Sequence, residues 1–176
     1  LVSNMAVFSH TTNYLQVGVN AAMCDGWSNL TISMWVNVRT FYQYSAFITA
    51  RGSKNQLLYQ DSTMAANEGS SGSLYINSGN NAYTTNLWVH LTWVHESHPV
   101  GTYSYAAFYT NGAMMISVSN LGGAVTIQQD DFWKIGGDDY SLANRGFDGL
   151  IDDVVIWKAS LTPSQVLSNF NMGRSQ

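Results

Sequence analysis

A chain of 176 residues that is 45% hydrophobic and only 10% charged has the apolar mass for one buried core and too little length for two. Its net charge is −4 and its seven Lys and Arg are scattered, which argues against nucleic acid, whose phosphates need clustered cations. No apolar run is long enough for a membrane-spanning helix, and the single cysteine, Cys24, excludes an internal disulfide. Polarity comes instead from Asn, Ser, Thr, Gln and Tyr, a composition suited to β structure and to surfaces that meet neutral, hydroxylated ligands. The start at Leu1 reads as a segment cut from a larger protein, and residues 1–176 are expected to form a single domain.

Short aromatic and β-branched runs separated by Gly, Asn and Ser clusters give the signature of a sandwich or barrel. In chain order the expected strands are Asn13–Val17, Thr31–Val38, Ala46–Ala50, Gln56–Tyr59, Ser73–Ile76, Trp88–Glu96, Tyr103–Tyr109, Met114–Val118, Phe132–Ile135 and Leu150–Trp157. Thr31–Val38 alternates, with Ile32, Met34, Val36 and Val38 on one face and Thr31, Ser33, Trp35 and Asn37 on the other. Asn111-Gly112 reads as a two-residue hairpin turn, since a type I′ turn needs positive φ at both positions. Asp61–Gly72 reads as a long polar loop. The only helix expected is capped by Thr162, opened by Pro163, completed by Gln165 as a capping box, and docked through Val166, Leu167 and Phe170.

Several segments together resemble, in order, the laminin-G-like and pentraxin domains of the concanavalin A-like jelly rolls. They are SNLTISMWVNV, AFITARGSKNQLLY, WVHLTWVHE with its partner AFYTNGAMM, and FDGLIDDVVIW followed by the capped helix. The resemblance implies an all-β, two-sheet antiparallel jelly-roll sandwich with one short C-terminal helix. It implies less about function, because the fold carries lectins, adhesion modules, enzymes and inert spacers.

The pentraxin branch implies a calcium site that can be followed residue by residue. Asn55, Asp138 and Asp139 match its oxygen donors, while Lys54 and Tyr140 stand where further donors are expected. The ammonium of Lys54 would oppose a cation and could pair with Asp138 instead. The same branch's cystine is absent, with Met34 and Thr92 at the matching positions. In related jelly rolls an acid at Asp152 can hold a separate structural calcium, which Asp25 could join. The alternative has one of Asp152 and Asp153 in solvent and the other bonding a neighbouring loop. Asp148 is expected to be a turn acid.

Catalysis is not expected. The only glutamates are Glu68 and Glu96, and no E-x-D-x-x-E run supplies the paired carboxylates of sandwich glycosidases. Asp130-Asp131 and Asp152-Asp153 are adjacent, so each pair points to opposite faces of a strand. His10, His90, His95 and His98 lack partners at metal spacing, and Cys24 reads as a small buried hydrophobe. Aromatic rings remain. The resemblance implies that Trp35, Trp88, Trp93 and Trp157 are structural aromatics, whereas Tyr44, Tyr59 and Tyr140 are candidates to stack on a sugar while amides bond its hydroxyls. The expected function is a non-catalytic carbohydrate-recognition or adhesion module of a larger extracellular, cell-surface or viral-fibre protein. Its ligand surface would be Tyr44, Asn55, Tyr59, Asp138, Asp139 and Tyr140, its partner a glycan or glycoconjugate, and its cofactor calcium at Asn55, Asp138, Asp139 and Asp152. The alternative is a structural or protein-interaction domain that binds a protein and no sugar, and a third reading, behind these, is a polysaccharide-cleaving enzyme.

Overall fold

A computed structural model describes residues 5–10, 14–18, 20–51, 55–61, 63–68, 75–77, 84–97, 104–120, 126–127, 129, 131–138 and 145–173, and for 51, 55–61, 63–68, 75–77 and 120 the backbone alone. The strands are β1 (Ala6–Phe8), β2 (Leu15–Val17), β3 (Asn29–Val38), β4 (Ala46–Arg51), β5 (Asn55–Asp61), β6 (Thr63–Glu68), β7 (Tyr75–Asn77), β8 (Trp88–Ser97), β9 (Ser104–Thr110), β10 (Ala113–Asn120), β11 (Trp133–Ile135) and β12 (Gly149–Trp157). The helix α1 spans Pro163–Gly173. Sheet A runs β1-β12-β3-β8-β9-β10 and sheet B runs β2-β11-β4-β5-β6-β7. The architecture is the two-sheet antiparallel jelly roll with one short C-terminal helix.

The alternation read in β3 decides which face is inside. Ile32, Met34, Val36 and Val38 are buried between the sheets, joined by Leu91 and Trp93 of β8, Phe108 of β9, Ile151 of β12, Phe47 and Ile48 of β4, and Trp133 of β11. Each such side chain contributes on the order of 2 kcal/mol by leaving water. Cys24 lies in this core, where the Trp133 indole N–H donates to its Sγ at 3.4 Å. Thr31 and Ser33 face away from the core and are nevertheless buried, because α1 reaches Ser33 through Asn169 and the segment before it bonds Thr31 at Ala159 and Leu161. There Val166 packs with Val94, Ala107 and Tyr109 into a second, smaller apolar cluster.

Two sequence expectations change. The stretch Asp61–Gly72, read as a loop, contains β6, which pairs with β5 from Gln56↔Glu68 to Asp61↔Thr63. Thr63 to Glu68 carry almost no large apolar side chains, so backbone pairing makes this strand where no hydrophobic alternation announces it. The second change concerns Met34 and Thr92, placed by the resemblance at a cystine's positions. Met34 pairs with Leu91, and Thr92 pairs with Ser33 on the opposite face. No bridge could join them. The helix bears out its capping box: Gln165 Oε1 accepts from the Thr162 N–H at 2.8 Å, and the Gln165 N–H points to Thr162 Oγ1 at 3.4 Å. Of its predicted docking residues Val166 is buried, while Leu167 is largely exposed.

Candidate functional site

Segments 8–10, 39–45 and 145–148 are fastened into one rim at an end of the sandwich. The Arg39 guanidinium bonds the Asp148 carboxylate at 2.7 Å and the Phe8 carbonyl at 2.5 Å, and the Arg39 N–H donates to the Asp148 carbonyl. Asp148 is thus more than the turn acid expected of it. The Gly146 carbonyl accepts from both His10 Nδ1 (2.8 Å) and Ser45 Oγ (2.9 Å), tying all of these segments at one atom. Donors aimed at a single oxygen leave little room for the loops to shift.

On this frame stand aromatic rings in partial contact with water. Phe41, Tyr42 and Tyr44 are exposed. Tyr42 stacks on His10 with centroids 3.8 Å apart and planes 11° from parallel. Tyr44 adopts φ +67°, a left-handed conformation that a bulky L-residue enters only against strain and that its surroundings must enforce. The Arg145 guanidinium lies 5.3 Å from the Tyr44 ring centroid, within cation–π range. The arrangement presents flat apolar rings beside a planar, multi-donor cation. Such a surface can stack on a sugar ring and bond its oxygens.

The strand ladders divide the predicted ligand set. Tyr59 is opposite Ala46, beside Tyr44 in the chain, whereas Asn55 is opposite Arg51 at the far end of β4. Asp138 follows β11, which runs antiparallel along β4 with Ile135 opposite Ile48 and the Gly136 N–H on the Phe47 carbonyl, while the Gly137 carbonyl accepts from Thr49 Oγ1 at 3.1 Å. Tyr44 and Tyr59 therefore share one end of β4, and Asn55 stands at the other. Beyond that backbone placement the side chains of Asn55 and Tyr59 are not described, and Asp139 and Tyr140, like Lys54, lie outside the described residues.

Asp138, expected as the exposed corner of the chain, is fully buried. Beneath the corner Lys134 is buried as well, its ammonium closely paired with Asp131. Asp152 is on the other sheet, opposite Trp35, and its Oδ1 accepts the N–H of Asp153 at 2.9 Å. Asp25 bonds the Gln129 N–H at 2.9 Å. Among the described residues no group of three or more His, Cys, Asp or Glu side chains converges as a metal site. Arg145 and Phe41 entered no sequence expectation, and His10 entered only as a histidine without partners at metal spacing. The available signal was a lone arginine just before FDG, which only the fold carries to Tyr44.

The model of the concanavalin A-like lectin/glucanases superfamily matches residues 9–167. The chain belongs to that superfamily. A comparison with curated proteins gave no match. Among solved structures, this member of the superfamily is similar to domain 4 of AbnA, an extracellular arabinanase of Geobacillus stearothermophilus solved with arabinotriose. There the identity is 19% and the TM-score 0.73, over 92% of this chain and 74% of that one. It is similar to a heptameric pentraxin of Limulus polyphemus at 18% identity and TM-score 0.58, over 80% of this chain and 68% of that one. A third likeness is to the binding domain of Paraclostridial Mosquitocidal Protein 1, at 15% identity and TM-score 0.67. That match covers 97% of this chain but 48% of the other, so the superfamily fold here spans about half of that binding domain. At these identities the likenesses concern the fold. No described helix is long and apolar enough to cross a membrane.

Proposed function

We propose that this chain is a non-catalytic carbohydrate-recognition module of a larger extracellular or surface-exposed protein, and that the rim around Tyr44 holds the glycan. The observation that carries the reading is the exposed Tyr44 ring, held at φ +67° beside the Arg145 guanidinium. A strained aromatic on a loop fastened at both flanks has the character of a binding position rather than a packing one. The ring supplies stacking area, Arg145 supplies donors for hydroxyl or carboxylate oxygens, and Tyr42 with His10 extends the apolar floor. The neighbouring domain crystallised with arabinotriose supports a sugar ligand by likeness of fold. No ion is part of this reading.

The test is a glycan array probed with the isolated chain, with calcium and with a chelator. The proposal expects signal on a limited set of glycans under both conditions and its loss in Tyr44→Ala, with Arg145→Ala weaker by about tenfold as befits one charged hydrogen-bonding partner. An array silent for the wild type, or signal indifferent to both substitutions, would sink it. Signal that needs calcium would restore the ion to the site.

One observation favours a second reading, a protein-interaction domain. Met114, Met115 and Ile116 of the sheet edge strand β10 are exposed, as is Leu167 of α1, large apolar side chains of the kind that protein partners cover. Under that reading a Met115→Glu variant loses partner binding while any glycan signal is unchanged.

A further inference from the structure

A recess of about 300 Å³ opens on the outer face of sheet A, between β3, β8, β12 and the end of α1. Its shape has local causes. The β12–β3 register slips between Asp152 and Val155, and Asp153 takes φ +48° in that bulge, which turns its carboxylate to the recess rim. Gly173 closes the far side, so near the Trp35 indole that an added Cβ would stand 2.5 Å from Nε1. The rim is exposed at Asp153, Val155 and Met172, and the floor is buried at Ser33 and His90.

The floor is polar and incompletely bonded. Asn169 Nδ2 donates to Ser33 Oγ at 3.1 Å and directs its remaining hydrogen towards His90 Nε2 at 3.5 Å. With Nε2 facing a donor, the imidazole proton belongs on Nδ1. That Nδ1 is buried without a partner, in a residue only 3% exposed. A buried donor left unbonded is costly, which leaves the floor polar beneath the recess. Burial also holds the ring neutral, with its pKa lowered to about 4. Among the described lining residues Asp153 is the one acid and none is Lys or Arg, and the apolar walls are Trp35, Val155 and Met172.

We infer that this recess binds a single amino sugar, a hydroxylated ring bearing a protonated amine. The ammonium pairs with Asp153, a ring oxygen or hydroxyl meets the His90–Asn169 floor, and the apolar face of the ring lies against Trp35 and Met172. The volume fits one such ring, at the lower end of small-ligand sites. A neutral sugar could offer Asp153 only a hydroxyl hydrogen bond without charge pairing, and an anionic one would be repelled by it. The inference concerns a different face from the Tyr44 rim and stands independently of it.

The probe is glucosamine with its amine protonated, titrated into the isotopically labelled chain and followed at the Trp35 indole N–H and the Asn169 amide. Saturable shifts at both groups are expected, with glucose at least tenfold weaker. Asp153→Asn, which keeps an asparagine-tolerant left-handed position, should weaken glucosamine at least tenfold and leave glucose unchanged. Tyr44→Ala should leave the titration as it was, which separates this site from the rim. Equal affinity for glucose and glucosamine, indifference to Asp153→Asn, or shifts confined to the Tyr44 rim would each overturn the inference.

Discussion

Burial on the outer face of sheet A pushes the His90 imidazole down to about 4, because charging it there would forfeit its hydration. The ordinary value, 6.5, governs the unfolded chain. Between the two values the unfolded chain binds a proton that the folded chain refuses, so stability falls as pH drops from 6.5 towards 4 and is unaffected by this group above 6.5. The full loss is about 3 kcal/mol. Urea midpoints of wild type and His90→Gln measured at pH 7 and pH 4.5 should therefore converge in acid, with the variant showing the shallower decline. Parallel declines would show that other groups drive acid unfolding. Cys24 behaves in the same sense: burial raises its thiol pKa and the residue is wholly enclosed. A thiol reagent should label it only at the rate of global unfolding, and prompt labelling of the native chain would refute that enclosure.

Among elements, α1 shows how local sequence and distant packing combine. Its start follows from Thr162, Pro163 and Gln165 alone, and the bonds between Thr162 and Gln165 confirm it. Thr162→Ala should cost about 1 kcal/mol, read as a lower urea midpoint with an unchanged slope; no shift would mean that docking alone holds the helix. The capping signal was legible because it lies within four residues. So were the strands with alternating apolar positions, such as β3, and the Asn111-Gly112 hairpin, whose φ values of +52° and +77° meet the type I′ demand. β6 was not legible, since polar strands are made by their neighbours. The rim was legible only in part. Tyr44 could be singled out as a ring near a turn, but its left-handed backbone and its pairing with Arg145 arise from segments 8–10 and 145–148 meeting at the Gly146 carbonyl. Asp138 misled for a related reason: two acids after two glycines suggest an exposed corner, yet the chain folds back onto Thr49 and buries the first of them.

For the molecule as a whole, the two apolar clusters are unequal and lie on opposite faces of sheet A. The inner one joins both sheets through Met34, Trp93, Phe47 and Trp133, while among the described residues the outer one holds Val94, Ala107, Tyr109 and Val166 with partly buried companions. Unfolding of the inner cluster must break both sheets at once, whereas the outer one can open by lifting α1 alone. Local opening of the helix should therefore need less free energy than global unfolding. Met34→Ala removes a wholly enclosed side chain and should cost 2–5 kcal/mol, about the range for such truncations, with hydrogen exchange accelerated across strands of both sheets. Val166→Ala should cost roughly 2 kcal/mol and accelerate exchange mainly in α1 and the facing parts of β8 and β9. Glucosamine bound in the recess would contact Asn169 and Met172 of the helix, and should then slow exchange in α1 without slowing it in β4 or β11. Uniform acceleration in both variants would show one cooperative unit, and the helix would no longer count as a separately opening cover of that face.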